Sequence, residues 1–226
     1  MKIVSLSFDD GTIYDEKFIE LLNKYGLKAT LNLNSDLNDF AWFYEEKPIK
    51  RFSLNSVKHL YDGHEVASHS LTHPYFSSLP IEEVIRQVKE DVKNLDSIFG
   101  RKTVGFAFPF HDQTEENIQT VKENVDLEYI RYSFLTNEYM PKDRYHIPIN
   151  ALYDDLDIYQ RLEEFSNNDT KDGLFVIAGH SYEFEVKNDW GKIEKLFIYL
   201  KNNKKIVVLT LKDAVNKIFG QKESAM

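Results

Sequence analysis

The sequence predicts an α/β fold, a parallel sheet with helices on its outside, open or closed into a barrel. Three observations predict it. Short runs rich in β-forming residues alternate with amphipathic helical stretches along the whole chain. The run Leu174-Phe175-Val176-Ile177-Ala178 is apolar without a break, as in a parallel strand buried on both faces. The unusual polar residues, Asp9 and Asp10, His69 and His73, His111, Arg131 and His180, fall at the C-terminal ends of predicted strands. In parallel α/β folds those ends share one face, so residues distant in sequence converge there.

The elements follow in order. Residues 3–8 form a strand of β-formers that stops at Asp9-Asp10-Gly11. Phe18, Ile19, Leu21, Leu22 and Tyr25 share one helical face, and Gly26 ends that helix. Residues 28–33 alternate as a second strand. Residues 34–52 read as a long loop carrying Phe40, Trp42, Phe43 and Tyr44, aromatics suited to packing as a lid or stacking on a sugar face. A short helix at 54–62 precedes a strand at 65–68 that runs into His69. Pro80 opens a long helix with the stripe Val84, Val88, Val92, Leu95 and Phe99, closed by Gly100. Strands at 103–108 and 127–132 flank a helix at 114–124, and residues 146–149 form a further strand. A helix near 154–165 leads to the buried strand at 174–178. A helix at 189–202, a strand at 206–209 and a helix at 212–219 finish the alternation, with Thr210 and Asp213 as a capping pair.

The 226 residues suit one domain, 1–226, without linker or repeat. A net charge of −9 argues against a general nucleic-acid or anionic-membrane binder. With no cysteine, neither disulfides nor a thiolate metal site can form, so any metal must use His and carboxylate. No apolar run approaches membrane-spanning length. No secretory signal is seen, which places the chain in the cytoplasm, or outside the cell if a leader was removed.

Asp9-Asp10-Gly11, taken alone, reads first as a solvated turn; the functional reading gives one carboxylate to a cation and leaves the other as a base. His69 and His73, four apart, are in isolation a surface pair. Beside two acids at a neighbouring strand end they read instead as two imidazoles of a catalytic zinc arrangement with an open position. His180 closes a buried strand, where a satisfied core histidine is the ordinary explanation, but the shared face favours proton transfer. His59, His64 and His146 read as structural.

Ser7-Phe8-Asp9-Asp10-Gly11, His69-Ser70-Leu71-Thr72-His73 and the strand-end His180 resemble, in order and spacing, the polysaccharide deacetylase family (NodB-homology, carbohydrate esterase family 4). The resemblance covers roughly residues 2 to 211. It implies a distorted (β/α) barrel and a metal-dependent hydrolase that removes N-acetyl, sometimes O-acetyl, groups from a sugar or polysaccharide. By position, Asp9 matches the catalytic base, and Asp10, His69 and His73 match the metal ligands. His180 matches the acid, and the Phe110 backbone N–H matches the donor to the oxyanion. Zinc is the expected metal, with cobalt or nickel able to replace it, because the ligands are borderline rather than hard.

Two departures stand out. The family's third motif carries an arginine, paired with the base, two residues before the proline; here Ala107 precedes Pro109. Arg131, at the end of the next strand, is the guanidinium that could take its place with a bidentate hold on Asp9, against the alternative of a surface ion pair. The family's fourth motif, an Asp–Trp pair that tunes the acid histidine, has no clear match. Trp190 comes too late in the chain to be its equivalent and is expected only as a pocket wall. Two other functions compete with sugar deacetylation: hydrolysis of a non-sugar amide or cyclic imide on the same fold, and carbohydrate binding without turnover.

Overall fold

The computed structural model describes residues 1–110 and 112–220; His111, one of the strand-end residues named above, lies outside the described residues. The chain runs β1 (Lys2–Asp9), α1 (Asp15–Tyr25), β2 (Thr30–Leu33), β3 (Ala41–Tyr44), β4 (Lys47–Lys50) and α2 (Leu54–Val57). It continues through β5 (Glu65–Ser68), α3 (Ile81–Phe99), β6 (Gly105–Ala107), α4 (Glu115–Asn124), β7 (Tyr129–Leu135), β8 (Ile147–Ile149) and β9 (Ala151–Leu152). Last come α5 (Ile158–Asn167), β10 (Gly173–His180), α6 (Ser181–Val186), α7 (Trp190–Asn202), β11 (Ile206–Val208) and α8 (Leu211–Phe219).

The strands pair in parallel in the order β8-β7-β6-β5-β2-β1-β10-β9, with β11 added beside the start of β1. β8 and β9 are one stretch interrupted at Asn150, whose N–H donates to the Val176 carbonyl and whose Oδ1 accepts from the Val176 N–H. That stretch pairs with β7 at its start and β10 at its end, so the sheet curls into a nearly closed barrel ringed by helices. Two helix ends follow their sequence signals: Gly26 and Gly100 adopt left-handed caps after α1 and α3. Thr114 and Asn117 form a reciprocal capping box for α4.

The period-two alternation of the strands decides which side chains face the interior. Along β1, Val4, Leu6 and Phe8 join an apolar cluster with Phe18, Phe184 and Phe197 of the surrounding helices, which leaves Ile3, Ser5, Ser7 and Asp9 on the opposite face. Ile3 clusters there with Tyr129, Val176 and Leu211. The base of this interior is polar but satisfied. Glu65 accepts from Thr30 and Tyr129, and from the Lys212 N–H in the first turn of α8, where a carboxylate suits the helix N-terminus. The other end of the barrel carries the strand-end residues.

One element departs from expectation. Residues 34–52 are not a structureless loop: β3 and β4 pair as an antiparallel hairpin. Its turn residues, Glu45 and Glu46, both sit at positive φ (46° and 65°) without the Gly or Asn that announces such a turn.

Candidate active site

Asp9 ends β1 pointing inward, in register between Asn32 of β2 and His180 of β10. Asp10 then leaves the strand at φ 87°, a conformation rare outside glycine, with its N–H donating to the Asn32 carbonyl at 3.0 Å. Gly11 continues at φ 67°, where an added Cβ would lie 2.9 Å from Leu33. The two adjacent carboxylates therefore diverge into different surroundings, both nearly excluded from solvent.

Asp10, His69 and His73 form the cluster the sequence suggested: one ligand atom from each lies within 4.8 Å of the others. His69 Nδ1 lies 2.8 Å from the Ala107 carbonyl, which only accepts, so the proton sits on Nδ1 and the Nε2 lone pair is left for the cluster. His73 sits at φ 55°, its N–H bonded to Ser70 Oγ, and its Nε2 is 3.5 Å from Asp10 Oδ1. Burial lowers the His69 pKa to about 3 despite the nearby Asp9 carboxylate, and burial lowers His73 as well. Both imidazoles are thus neutral, the state that ligates. Burial opposes ionisation of Asp10, but Arg51, and after it the charged His180, hold it well below the usual carboxylate range. Two neutral imidazoles and one ionised carboxylate fit a divalent transition-metal cation.

Asp9 has a different set of partners. Asn32 Nδ2 donates to its Oδ1 at 2.6 Å, and Arg131 Nη2 donates to both oxygens at 2.8 Å. Burial pushes the Asp9 pKa up, but the Arg131 guanidinium, with the charged His180 beside it, outweighs burial and holds the group ionised. Arg131 is 1% exposed, so the pair is no surface salt bridge. The contact differs from the expected fork: one nitrogen bridges both oxygens, and Nε has no hydrogen-bond partner. The reason is geometric. β7 is four strands from β1, so the guanidinium reaches across the barrel end-on rather than side-on. Ala107 is the register partner of Arg131, and its small side chain spares the space an arginine there would contest.

His180 closes β10 and is partly open to the cleft, with Nε2 3.9 Å from Asp10 Oδ2. Its Nδ1 lies 3.4 Å from Glu183, in the first turn of α6, which is also approached by Lys187 and Tyr44. Burial alone would lower the His180 pKa; Glu183, Asp10 and Asp9 together raise it to about 9. Glu183 was not singled out from the sequence, although its i+3 spacing from a strand-end histidine was the available signal. Arg51 and Asn32 were missed too, whereas Phe40, Trp42 and Tyr44, named from the sequence as aromatics of a lid or sugar-stacking face, do line the cleft.

These groups open onto a cleft of about 680 Å³, whose lining includes Phe40, Trp42, Tyr182 and Phe110. Phe110 sits at φ 56° with its ring on His73 and stacked on Tyr75. Trp190 corrects an expectation: it does not line the cleft. Its Nε1 donates to Glu185, Lys17 covers its ring, and it packs on Phe184 outside the barrel, because the first turn of α7 lies over α6 and not over the strand ends. His59 pairs with Asp62 at the surface, His64 is buried against Ala29 and Asn23, and His146 lies between Asp143 and Glu115, all away from the cleft.

Comparison with known proteins gives concordant matches. A family model described as polysaccharide deacetylase matches residues 1–130. The peptidoglycan-N-acetylmuramic acid deacetylase PdaC of Bacillus subtilis is 26% identical over 128 residues, which are 56% of this chain and only 25% of that protein. Among solved structures, the Xyl-CE4 domain of a multidomain xylanase from the hindgut metagenome of Trinervitermes trinervoides superposes with a TM-score of 0.64 at 20% identity, covering 96% of this chain and 90% of that one. A family 4 acetyl xylan esterase from Clostridium thermocellum, in complex with a cobalt ion, gives 0.62 at 19% identity, with 96% and 91% covered.

Proposed function

The chain belongs to the polysaccharide deacetylase family, and from that premise we propose that it is a divalent-cation-dependent hydrolase removing N-acetyl groups from an amino sugar of a polysaccharide. The observation that carries the reading is the division of labour between the paired acids. Asp10 shares its cluster with two neutral imidazoles, while Asp9, one residue away, is kept ionised by Arg131 and Asn32.

Asp10, His69 and His73 would hold the cation, with zinc the first choice for such donors and cobalt or nickel able to replace it. When bound it supplies Lewis acidity, polarising the acetyl carbonyl and lowering the pKa of water. Asp9 accepts the proton of the attacking water; its ionised state, fixed by Arg131, leaves it ready to do so. His180, charged and partly open to the cleft, donates a proton to the departing amine nitrogen. The Phe110 N–H is assigned to the developing oxyanion. Arg131 positions Asp9, and Glu183 sets the orientation and charge of His180, the task given to a separate motif in relatives.

The test is acetate release from N-acetylglucosamine oligomers by the cation-loaded protein, with free amine counted in parallel. Equal amounts of acetate and new amine are expected. A loaded protein that hydrolyses simple amides or cyclic imides but not the oligomers overturns the sugar assignment. One that hydrolyses nothing in the panel points to binding without turnover. His180→Ala is expected to keep the cation and lose most activity; loss of the cation would move His180 into the ligand set.

A further inference from the structure

Arg51 belongs to no motif, yet it is the charged group most tightly built into the cation cluster. It is 5% exposed, although it directly follows the largely exposed strand β4. Its guanidinium spans the whole of Asp10. Nη1 donates to the Asp10 carbonyl at 2.5 Å and Nη2 to the Asp10 Oδ1 at 2.9 Å. Nη1 also donates to Asn34 Oδ1 at 2.7 Å, and Asn34 Nδ2 in turn donates to the carbonyls of His69 and Ser70 at 2.6 and 2.7 Å. A buried chain of hydrogen bonds therefore runs from one ligand, Asp10, through Arg51 and Asn34 to the backbone of another, His69.

The clamp itself is anchored. Arg51 N–H donates to Phe40, Phe52 N–H to Gly11 and Ile13 N–H to Lys50, which laces residues 50–52 to the turn that follows Asp10. The Trp42 ring lies 4.9 Å from the guanidinium. Of the three residues whose carbonyls this chain holds, Asp10 and Ser70 sit at positive φ (87° and 71°), where a non-glycine residue needs restraint from its surroundings.

We propose that Arg51 is a positioning residue that fixes Asp10 and His69 as a preset pair of ligands, an assignment resting on the reading of Asp10, His69 and His73 as the cation site. A competing explanation makes Arg51 a mere counter-ion for a buried acid. The two differ in sign. A counter-ion repels a cation and competes for Asp10 Oδ1, so its removal should tighten cation binding. Removal of a positioning clamp should loosen it, even though a positive charge has gone.

The experiment measures the affinity of the metal-stripped full chain for zinc, in competition with a chromophoric chelator, together with the visible absorption spectrum of its cobalt form. The proteins are wild type, Arg51→Met and Arg51→Lys, each checked for folding by circular dichroism. Both variants are expected to bind zinc about 10- to 100-fold more weakly than wild type, as when groups supporting metal ligands are lost. Their cobalt spectra should be altered, since the ligand geometry relaxes. Arg51→Lys keeps the charge and is the milder change, so it decides the question if Arg51→Met does not fold. Folded variants with unchanged or tighter zinc binding and an unaltered cobalt spectrum overturn the clamp alone. A wild-type chain that takes up neither zinc nor cobalt overturns the ligand assignment, and the clamp with it.

Discussion

Two pairs of buried aspartates lie in this molecule, and their partners set them apart. Asp9 and Asp10 each have a buried guanidinium, Arg131 and Arg51. Asp15 and Asp91, buried as deeply, have hydroxyls and backbone N–H groups: Ser181 and Tyr61 for the first, Ser68 and the Ser35 N–H for the second. Burial pushes all four pKa values upward, yet the outcomes are opposite. Asp9 and Asp10 stay below the ordinary carboxylate value, while Asp15 rises to about 7 and Asp91 to about 6. At Asp15 and Asp91 the neutral donors offset only part of the desolvation cost, whereas at Asp9 and Asp10 a full countercharge reverses it. The guanidinium-paired acids are those at the cleft, and the hydroxyl-paired acids serve the scaffold behind it.

The sharpest way to probe that contrast is Asp9→Asn. It keeps the shape and the Asn32 contact but cannot take a proton, so turnover should fall by on the order of a hundredfold to ten-thousandfold with cation binding retained. Near-normal acetate release would remove Asp9 from the role of base. Next is Arg131→Met, which strands a buried charge on Asp9 and should cost about 3–5 kcal/mol in a denaturant titration at pH 7. Placed on an Asp9→Asn background, the same change should cost much less. Equal costs on both backgrounds would show that the pair is not coupled.

A smaller effect of opposite character is expected at Asp15. Its folded pKa lies above the unfolded one, so the folded state holds the proton to higher pH. The stability it contributes is therefore present at low pH and lost as pH rises from 3.8 through about 7. Asp15→Asn should consequently stabilise the fold at pH 8, on the order of 1–3 kcal/mol, and change little at pH 4. A stabilisation that did not grow with pH would break the contrast with Asp9 and Asp10, whose contribution is lost instead as pH falls. Asp91→Asn should repeat the pattern more weakly, because its shift is smaller; thermal melting across the same pH range would rank the two.

Most of this architecture was legible from alternation. Strands alternating with helices imply a parallel sheet whose C-terminal strand ends share one face, and that placed Asp9, His69, Arg131 and His180 together. The absence of an arginine at 107 also pointed to Arg131, because it was the guanidinium at the end of a neighbouring strand. What was not legible has physical reasons. The hairpin turns at Glu45 and Glu46, which carry no local signal for positive φ, so β3 and β4 looked like a loop. Arg51 follows that hairpin and acts through tertiary contact alone. Trp190 was misplaced because sequence order says nothing about the direction in which α7 leaves α6.

The pairing of β1 with β10 sets a timetable. Asp9 and His180 are register partners separated by 170 residues of chain, and Arg131 belongs to β7 between them. At typical synthesis rates of about 5–20 residues per second, roughly ten to thirty seconds separate the first from the last. The cluster of Asp10, His69 and His73, with Arg51 and Asn34, is complete within the first 73 residues. A growing chain therefore contains Asp10, His69 and His73 long before it contains Arg131, which pairs with Asp9, or His180. β1, unpaired on its β10 side until the last third of the chain has been made, is the surface a chaperone would have to guard.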